Sequence, residues 1–278
     1  MKVRNWLSLC AVAASLACAG NANAGVVIDL FTDPITPGGQ VVSDGTVGGG
    51  GAFSELDGLT NVIGGSRDLF VETTAQQFGF GSTVLSAGGG FLSYSQATGV
   101  TGVGVVQWDG DDNSAALDTT GLGGADLTDC NGTACQRISA SVLRADFGFG
   151  YEVLVADMDG RISTLTASTQ FPVNTPTHAD YYFDWFNLSD GTYFLGGLLF
   201  SIERTGNLVG DVDFTNIGAL QFTINVPFID TNGDPAPIQA DIDLTLSAVT
   251  TVPEPGALSL VGAALLGVAA ARRRRKTT

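Results

Sequence analysis

The chain has 278 residues, with 12 basic against 28 acidic side chains and a formal charge of −16. That balance repels polyphosphate and anionic lipid headgroups, so nucleic-acid binding is excluded. With one histidine and four cysteines, two of them in the first 24 residues, the ligands for a histidine–cysteine zinc centre are lacking.

Met1 to Arg4 form a basic start, Trp6 to Ala19 an apolar run, and Ala22-Asn23-Ala24 a small-x-small cleavage site. This is the pattern of a secretory signal peptide over 1–24, removed by signal peptidase ahead of Gly25. Leu16-Ala17-Cys18 approaches a lipoprotein box. Ser15 stands where a branched apolar residue is expected, which argues against lipidation at Cys18.

From Gly25 to Thr251 only five cations remain: Arg67, Arg137, Arg144, Arg161 and Arg204. They face 27 acids, so this body is near −22 and holds no lysine. Such a surface favours solubility and divalent cations, and general solvation by scattered Asp turns accounts for the same charge.

The hydrophobic period of the body is two rather than 3.6. The first strand candidates are Val26 to Phe31, Leu69 to Thr73, Gln76 to Phe80, Gly90 to Ser95 and Val100 to Trp108. Ile138 to Phe147 follows, then Tyr151 to Ala156 and Ile162 to Ser168, joined by Asp157-Met158-Asp159-Gly160, a hairpin signal. Asp180 to Asn187, Tyr193 to Glu203, Ala219 to Val226 and Gln239 to Ser247 complete the set. Glycine-rich breaks separate the runs, no segment shows a helical stripe, and no fixed-period repeat is present. About a dozen short strands predict an all-β fold over 25–251, a single-domain antiparallel β-sandwich of jelly-roll type. Two smaller sandwiches divided near 110–135 are the alternative.

Two local features have a structural logic. Cys130 and Cys135 flank Asn131-Gly132-Thr133-Ala134 and, in an oxidising compartment, form a disulfide that closes a turn. In Asn61-Val-Ile-Gly-Gly-Ser-Arg-Asp-Leu69 the two glycines permit positive φ, and Arg67 with Asp68 is expected to close the turn as a buried ion pair.

Chemistry must be sought among acids, since His178 is a lone loop histidine and no Gly-x-Ser-x-Gly elbow accompanies it. Asp109, Asp111, Asp112 and Asn113 place hard oxygen ligands in one loop, and Asp230, Asn232 and Asp234 do so in another. Both suit calcium, and both are equally Asx-rich turns. The second lacks the twelfth-position Glu of an EF-hand. Paired acids for glycoside hydrolysis are Asp157 with Asp159, expected in water at a hairpin tip, and Asp180 with Asp184. Asp180 precedes, and Asp184 falls within, the aromatic run Tyr181 to Phe186. As a strand it puts Tyr181, Phe183 and Trp185 on one face and Tyr182, Asp184 and Phe186 on the other. Tyr181, Tyr182 and Trp185 are the candidate glycan-stacking rings; core packing on both faces is the competing reading.

The tail, 252–278, has three parts. Pro253-Glu254-Pro255 forbids helix and holds the backbone extended. Residues 256–271 are 16 small or apolar side chains, about 24 Å of helix at ~1.5 Å per residue, slightly short of a ~30 Å hydrocarbon core. Arg272 to Arg275 and Lys276 then stay cytoplasmic by the positive-inside rule. Motif, short membrane helix and cationic end, in this order, resemble the PEP-CTERM sorting signal that exosortase processes. The resemblance implies recognition at Pro253, Glu254 and Pro255, cleavage nearby, a transient membrane anchor and delivery to the cell surface or extracellular matrix. It also implies an association with exopolysaccharide or biofilm. Three functions stay open for the body: a non-enzymatic surface or matrix protein, a carbohydrate-binding module, and a secreted polysaccharide-active enzyme.

Overall fold

The computed structural model describes residues 25–34, 39–146, 148–169, 172–196, 198–206, 208, 210–230 and 234–253. Ala22, Ala24, Asn232, Glu254, Pro255, the apolar tail segment and its arginine cluster lie outside the described residues.

The strands in chain order begin with β1 (Val27–Asp29), β2 (Gln40–Asp44), β3 (Ala52–Asp57), β4 (Ser66–Gln76), β5 (Thr83–Gly88), β6 (Phe91–Gln96) and β7 (Val100–Trp108). They continue with β8 (Asp129–Cys130), β9 (Thr133–Ala145), β10 (Phe149–Asp157), β11 (Arg161–Thr169) and β12 (Thr177–Tyr182). A helical turn, α1 (Phe183–Phe186), precedes β13 (Gly191–Leu195), β14 (Leu198–Gly206) and β15 (Ile217–Val226). The last are β16 (Phe228–Ile229), β17 (Pro235–Ala236) and β18 (Asp243–Pro253). No helix among the described residues is long and apolar enough to cross a membrane.

The fold is all-β with antiparallel sheets. One sheet runs β12-β9-β18-β6-β5-β2, with β1 paired to β18 and β8 to β9; the other runs β13-β14-β11-β10-β15-β7-β4-β3. β16 and β17 form a small ribbon. Alternation explains why the sheets associate. β5 reads buried–half-buried along its length, and Leu85 and Ala87 join Leu92 and Tyr94 of β6 in one apolar cluster with Val106, Val153 and Leu165 of the other sheet. Gly104 of β7 allows a close approach: a Cβ there would meet the Tyr94 ring at 2.7 Å. The Tyr94 hydroxyl donates to Gly102 O at 2.7 Å, so the buried phenol keeps a partner.

The sheets are also tied by a polar bolt. Arg67, fully buried on β4, donates through Nη1 to Asp29 of β1 at 3.1 and 2.9 Å, and through Nε to Gln40 of β2 at 3.0 Å. Trp108 Nε1 donates to the same carboxylate at 3.0 Å. This corrects the expected Arg67–Asp68 pair: neighbouring strand residues point to opposite faces, so Arg67 enters the core and Asp68 leaves it. The two glycines do take the left-handed region, Gly64 at φ 69° and Gly65 at φ 77°.

Other boundaries shift as well. Leu69 to Thr73 and Gln76 to Phe80 are not two strands; β4 is continuous to Gln76, and Phe78 and Phe80 lie beyond it, exposed. Tyr193 to Glu203 is a hairpin, β13 and β14, not one strand. β2, β3 and β5 are strands that the alternation pattern did not single out. The disulfide joins Cys130 and Cys135 across β8 and β9.

Candidate functional site

Two places bring the expected chemistry together. The first is acidic and lies on the outward face of the second sheet. Pairing of β3 with β4 sets Glu55 opposite Asp68, and pairing of β4 with β7 sets Asp68 opposite Gln107. The connector after β7 folds back over these strands. Asp112 N donates to Glu55 Oε1 at 3.1 Å, and Asp118 N donates to Asp109 Oδ2 at 2.9 Å. Carboxylate oxygens of Glu55, Asp68 and Asp112 come within 4.8 Å of one another, and those of Glu55, Asp57 and Asp111 do the same at the rim. Burial, reinforced by the charges of Asp109 and Glu55, pushes the Asp68 carboxyl up to about 8. Burial likewise pushes Asp109 up to about 6, against the pull of the Asp118 N–H.

Of the first calcium-loop residues, Asp109 and Asp112 therefore face the cluster and Asp111 its exposed rim. Asn113 is exposed, with φ 52°. Glu55, Asp57 and Asp68 were not legible as partners, because strand pairing rather than local spacing delivers them. In the second loop Asp230 Oδ1 accepts from Asp234 N at 2.9 Å, closing the turn between β16 and β17.

The second place is a groove of about 530 Å³ where the two sheets part, lined among others by Ser168, His178, Asp180, Tyr182, Trp185 and Gly196. The aromatic run is strand only as far as Tyr182; Phe183 to Phe186 turn helically. The expected two-face alternation is thereby overturned, since a helical turn groups residues three apart. Phe183 and Phe186 go inward against Phe214, with ring centroids at 4.1 and 5.8 Å. Tyr182 and Trp185 stay half-buried beside each other, centroids 5.0 Å apart. Tyr181, only 3% exposed, packs edge-on against Tyr151 in the core and is no surface ring.

The groove is preorganised. Trp185 stacks on Phe200 at 4.9 Å, and Gly196, at φ 60°, leaves no room for a Cβ beyond 3.2 Å from the indole. Arg137 sits over the Tyr182 ring at 5.5 Å and reaches Asp180 at 3.5 Å. His178 Nδ1 lies 3.2 Å from Ser141 Oγ. Ser168 Oγ is buried beneath the groove with no hydrogen-bond partner.

Asp184 is exposed on α1, and Asp180 meets Arg137 at 3.5 Å; Asp157 and Asp159 share Arg161 Nη1, which lies 2.9 Å from each. Asp157 is not in water: it is fully buried, accepts from the N–H of Asp159, Arg161 and Asp213, and pairs with Arg161 at 2.9 Å. Burial works to raise its carboxyl, but those N–H groups and the guanidinium outweigh it and hold it below the usual range. A carboxylate so occupied organises a hairpin.

No curated protein matches the chain. Among solved structures it is similar to PfGH50B, at 8% identity and TM-score 0.37, over 66% of this chain and 22% of that one. It is also similar to the family 11 carbohydrate-binding module of the cellulosomal cellulase Lic26A-Cel5E of Clostridium thermocellum, at 10% identity and TM-score 0.36, over 84% and 96%. A third likeness is to an exo-beta-agarase, at 8% identity and TM-score 0.38, over 84% of this chain and 25% of that one. The chain thus spans about a quarter of the first and third of these. Residues 251–275 match the PEP-CTERM protein-sorting motif. The tail of this chain is therefore a PEP-CTERM sorting signal, which marks an exported protein destined for the surface.

Proposed function

We propose that the chain is a surface or extracellular-matrix protein, held briefly in the membrane by residues 256–271 and cut by exosortase near Pro253-Glu254-Pro255. Its β-body, 25–251, attaches to exopolysaccharide through the groove beside α1. The body is a sandwich of jelly-roll type in this reading, supported by the repeated hand-over of the chain between sheets: β4 to β5, β6 to β7, β9 to β10 and β11 to β12.

The observation that carries the attachment is the Tyr182–Trp185 pair. Two half-buried rings, Trp185 braced by Phe200 and both flanked by Asp180 and His178, offer apolar area with polar groups at its edge. A pyranose ring has the matching chemistry: an apolar C–H face and equatorial hydroxyls. Among the described residues the groove is lined by a single acid, Asp180, so the binding reading is preferred to the enzymatic one.

Affinity electrophoresis in gels containing the host's own exopolysaccharide tests this. Retardation of the native protein, weakened about 2- to 13-fold in Trp185→Ala, is expected from the ~0.5–1.5 kcal/mol of a ring contact. Equal mobility with and without polysaccharide rejects the attachment.

A further inference from the structure

We propose that Glu55, Asp68, Asp109 and Asp112 form a binding site for one calcium ion, which clamps the connector between β7 and β8 onto the outer face of β3, β4 and β7. A group of acids alone is no site, since most such groups are simply hydrated. Here an independent feature points to a cation: the buried oxygens lack donors. Asp68 is 1% exposed, and neither of its carboxylate oxygens accepts a hydrogen bond from any donor. Glu55 Oε2, Asp109 Oδ1 and Gln107 Oε1 are buried without partners too. These residues are neighbours by strand register and chain continuity: Glu55 opposite Asp68, Asp68 opposite Gln107, and Asp109 two places on. Buried acceptors without donors are rare in folded proteins, and four residues clustering them leave a demand that only positive charge or protons can meet.

The donor set selects the ion. Carboxylates and an amide oxygen are hard ligands, suited to calcium, magnesium or manganese rather than to metals that favour nitrogen or sulfur. Oxygens of Glu55, Asp68 and Asp112 lie within 4.8 Å of one another. Oxygens that close can share one cation, and calcium, which takes six to eight oxygens in flexible geometry, suits a set of several carboxylates and an amide better than magnesium, which demands a near-ideal octahedron and keeps several waters. The remaining oxygens of Glu55, Asp109 and Asp112 already accept from Asp112 N, Asp118 N and Ser114 N, so the connector backbone aims the carboxylates inward. Five arginines in the body supply no rival charge here: each ion pair they form, among the described residues, is with another acid.

Calorimetric titration of the full-length, EDTA-stripped protein with calcium chloride, and separately with magnesium chloride, tests the assignment. One saturable calcium site is expected, with magnesium weaker. Asp68→Asn, which keeps the shape and removes the charge, weakens calcium binding by about tenfold or more. Should Asp68→Asn fail to fold, Asp112→Asn on the partly exposed side carries the same expectation, while Asp211→Asn, beside Arg204, leaves binding unchanged. Amide exchange across residues 110–120 slows on adding calcium in the native protein and not in Asp68→Asn. Absence of saturable binding overturns the proposal and means that the carboxyls share protons among themselves. Unaltered calcium affinity in both Asp68→Asn and Asp112→Asn overturns it as well.

Discussion

Replacing Arg67 by methionine should strongly destabilise this protein at neutral pH, although the Arg67 side chain is buried from solvent and its hydrogen bonds go to neither candidate site. The guanidinium donates twice to Asp29, once to Gln40 and once to the Asp33 carbonyl, with Phe31 under it at 5.8 Å. Methionine fills much of the same space and leaves the Asp29 carboxylate in the core, held only by Trp108 Nε1 and Phe31 N. Removing one partner of a buried pair costs about 3–5 kcal/mol, because the other charge is stranded. Against a total stability of about 5–15 kcal/mol, that is a large fraction. Burial already pushes the Asp29 carboxyl up, with Arg67 pulling the other way. Without the arginine its folded pKa rises further above the unfolded value. Stability is then retained at low pH and lost as pH rises, so the variant is weaker at pH 8 than at pH 5. Urea unfolding at both pH values measures this, within a double-mutant cycle using Asp29→Asn. The double variant, with no stranded charge, should recover at least about 2 kcal/mol relative to the sum of the singles. Strictly additive losses, or a loss under about 1 kcal/mol for Arg67→Met at pH 8, refute the role given to this bolt.

Asp157→Asn tests the hairpin carboxylate: its depressed pKa contributes stability that is present above the unfolded value near ~3.9 and lost as pH falls through the folded one. Thermal melts from pH 2 to 7 should show a flatter acid limb and a lower neutral plateau in the variant. Cys130→Ser with Cys135→Ser should lower stability by about 2 kcal/mol, the chain-entropy value for so short a loop, read as a melting shift of about 4–8 °C. Converting Pro253, Glu254 and Pro255 to alanine should leave an uncut precursor. Mass spectrometry of that precursor finds Arg272 to Lys276 still attached, whereas native extracellular protein lacks them.

Legibility followed how far a residue's role depends on its own neighbours. β7 and the β10–β11 hairpin stand out because alternation and Asp159-Gly160 are local signals. β3 escapes notice because most of its residues are half-buried on both faces, which erases the contrast that alternation needs. The run Tyr181 to Phe186 is apolar at either period, so sequence cannot say that the strand ends at Tyr182 and a helical turn begins. For the acidic cluster, Asp109 and Asp112 announce themselves as a loop, but Glu55 and Asp68 arrive through the β3–β4–β7 ladders. Arg67 was visible as a residue with a structural task; its partner was not, since Asp29 sits on a strand of the opposite sheet. The tail was the most legible part, because its signal is linear.

β18 runs through the middle of its sheet, between β9 and β6, and its final residue, Pro253, is the first residue of the sorting triad. Thr251, two places earlier, is 1% exposed, with its hydroxyl 3.0 Å from Cys135 Sγ. A tether fastened at the C-terminal end thus pulls lengthwise on a central strand. Its load is borne in shear by the ladders on both flanks together, where an edge strand would unzip one hydrogen bond at a time.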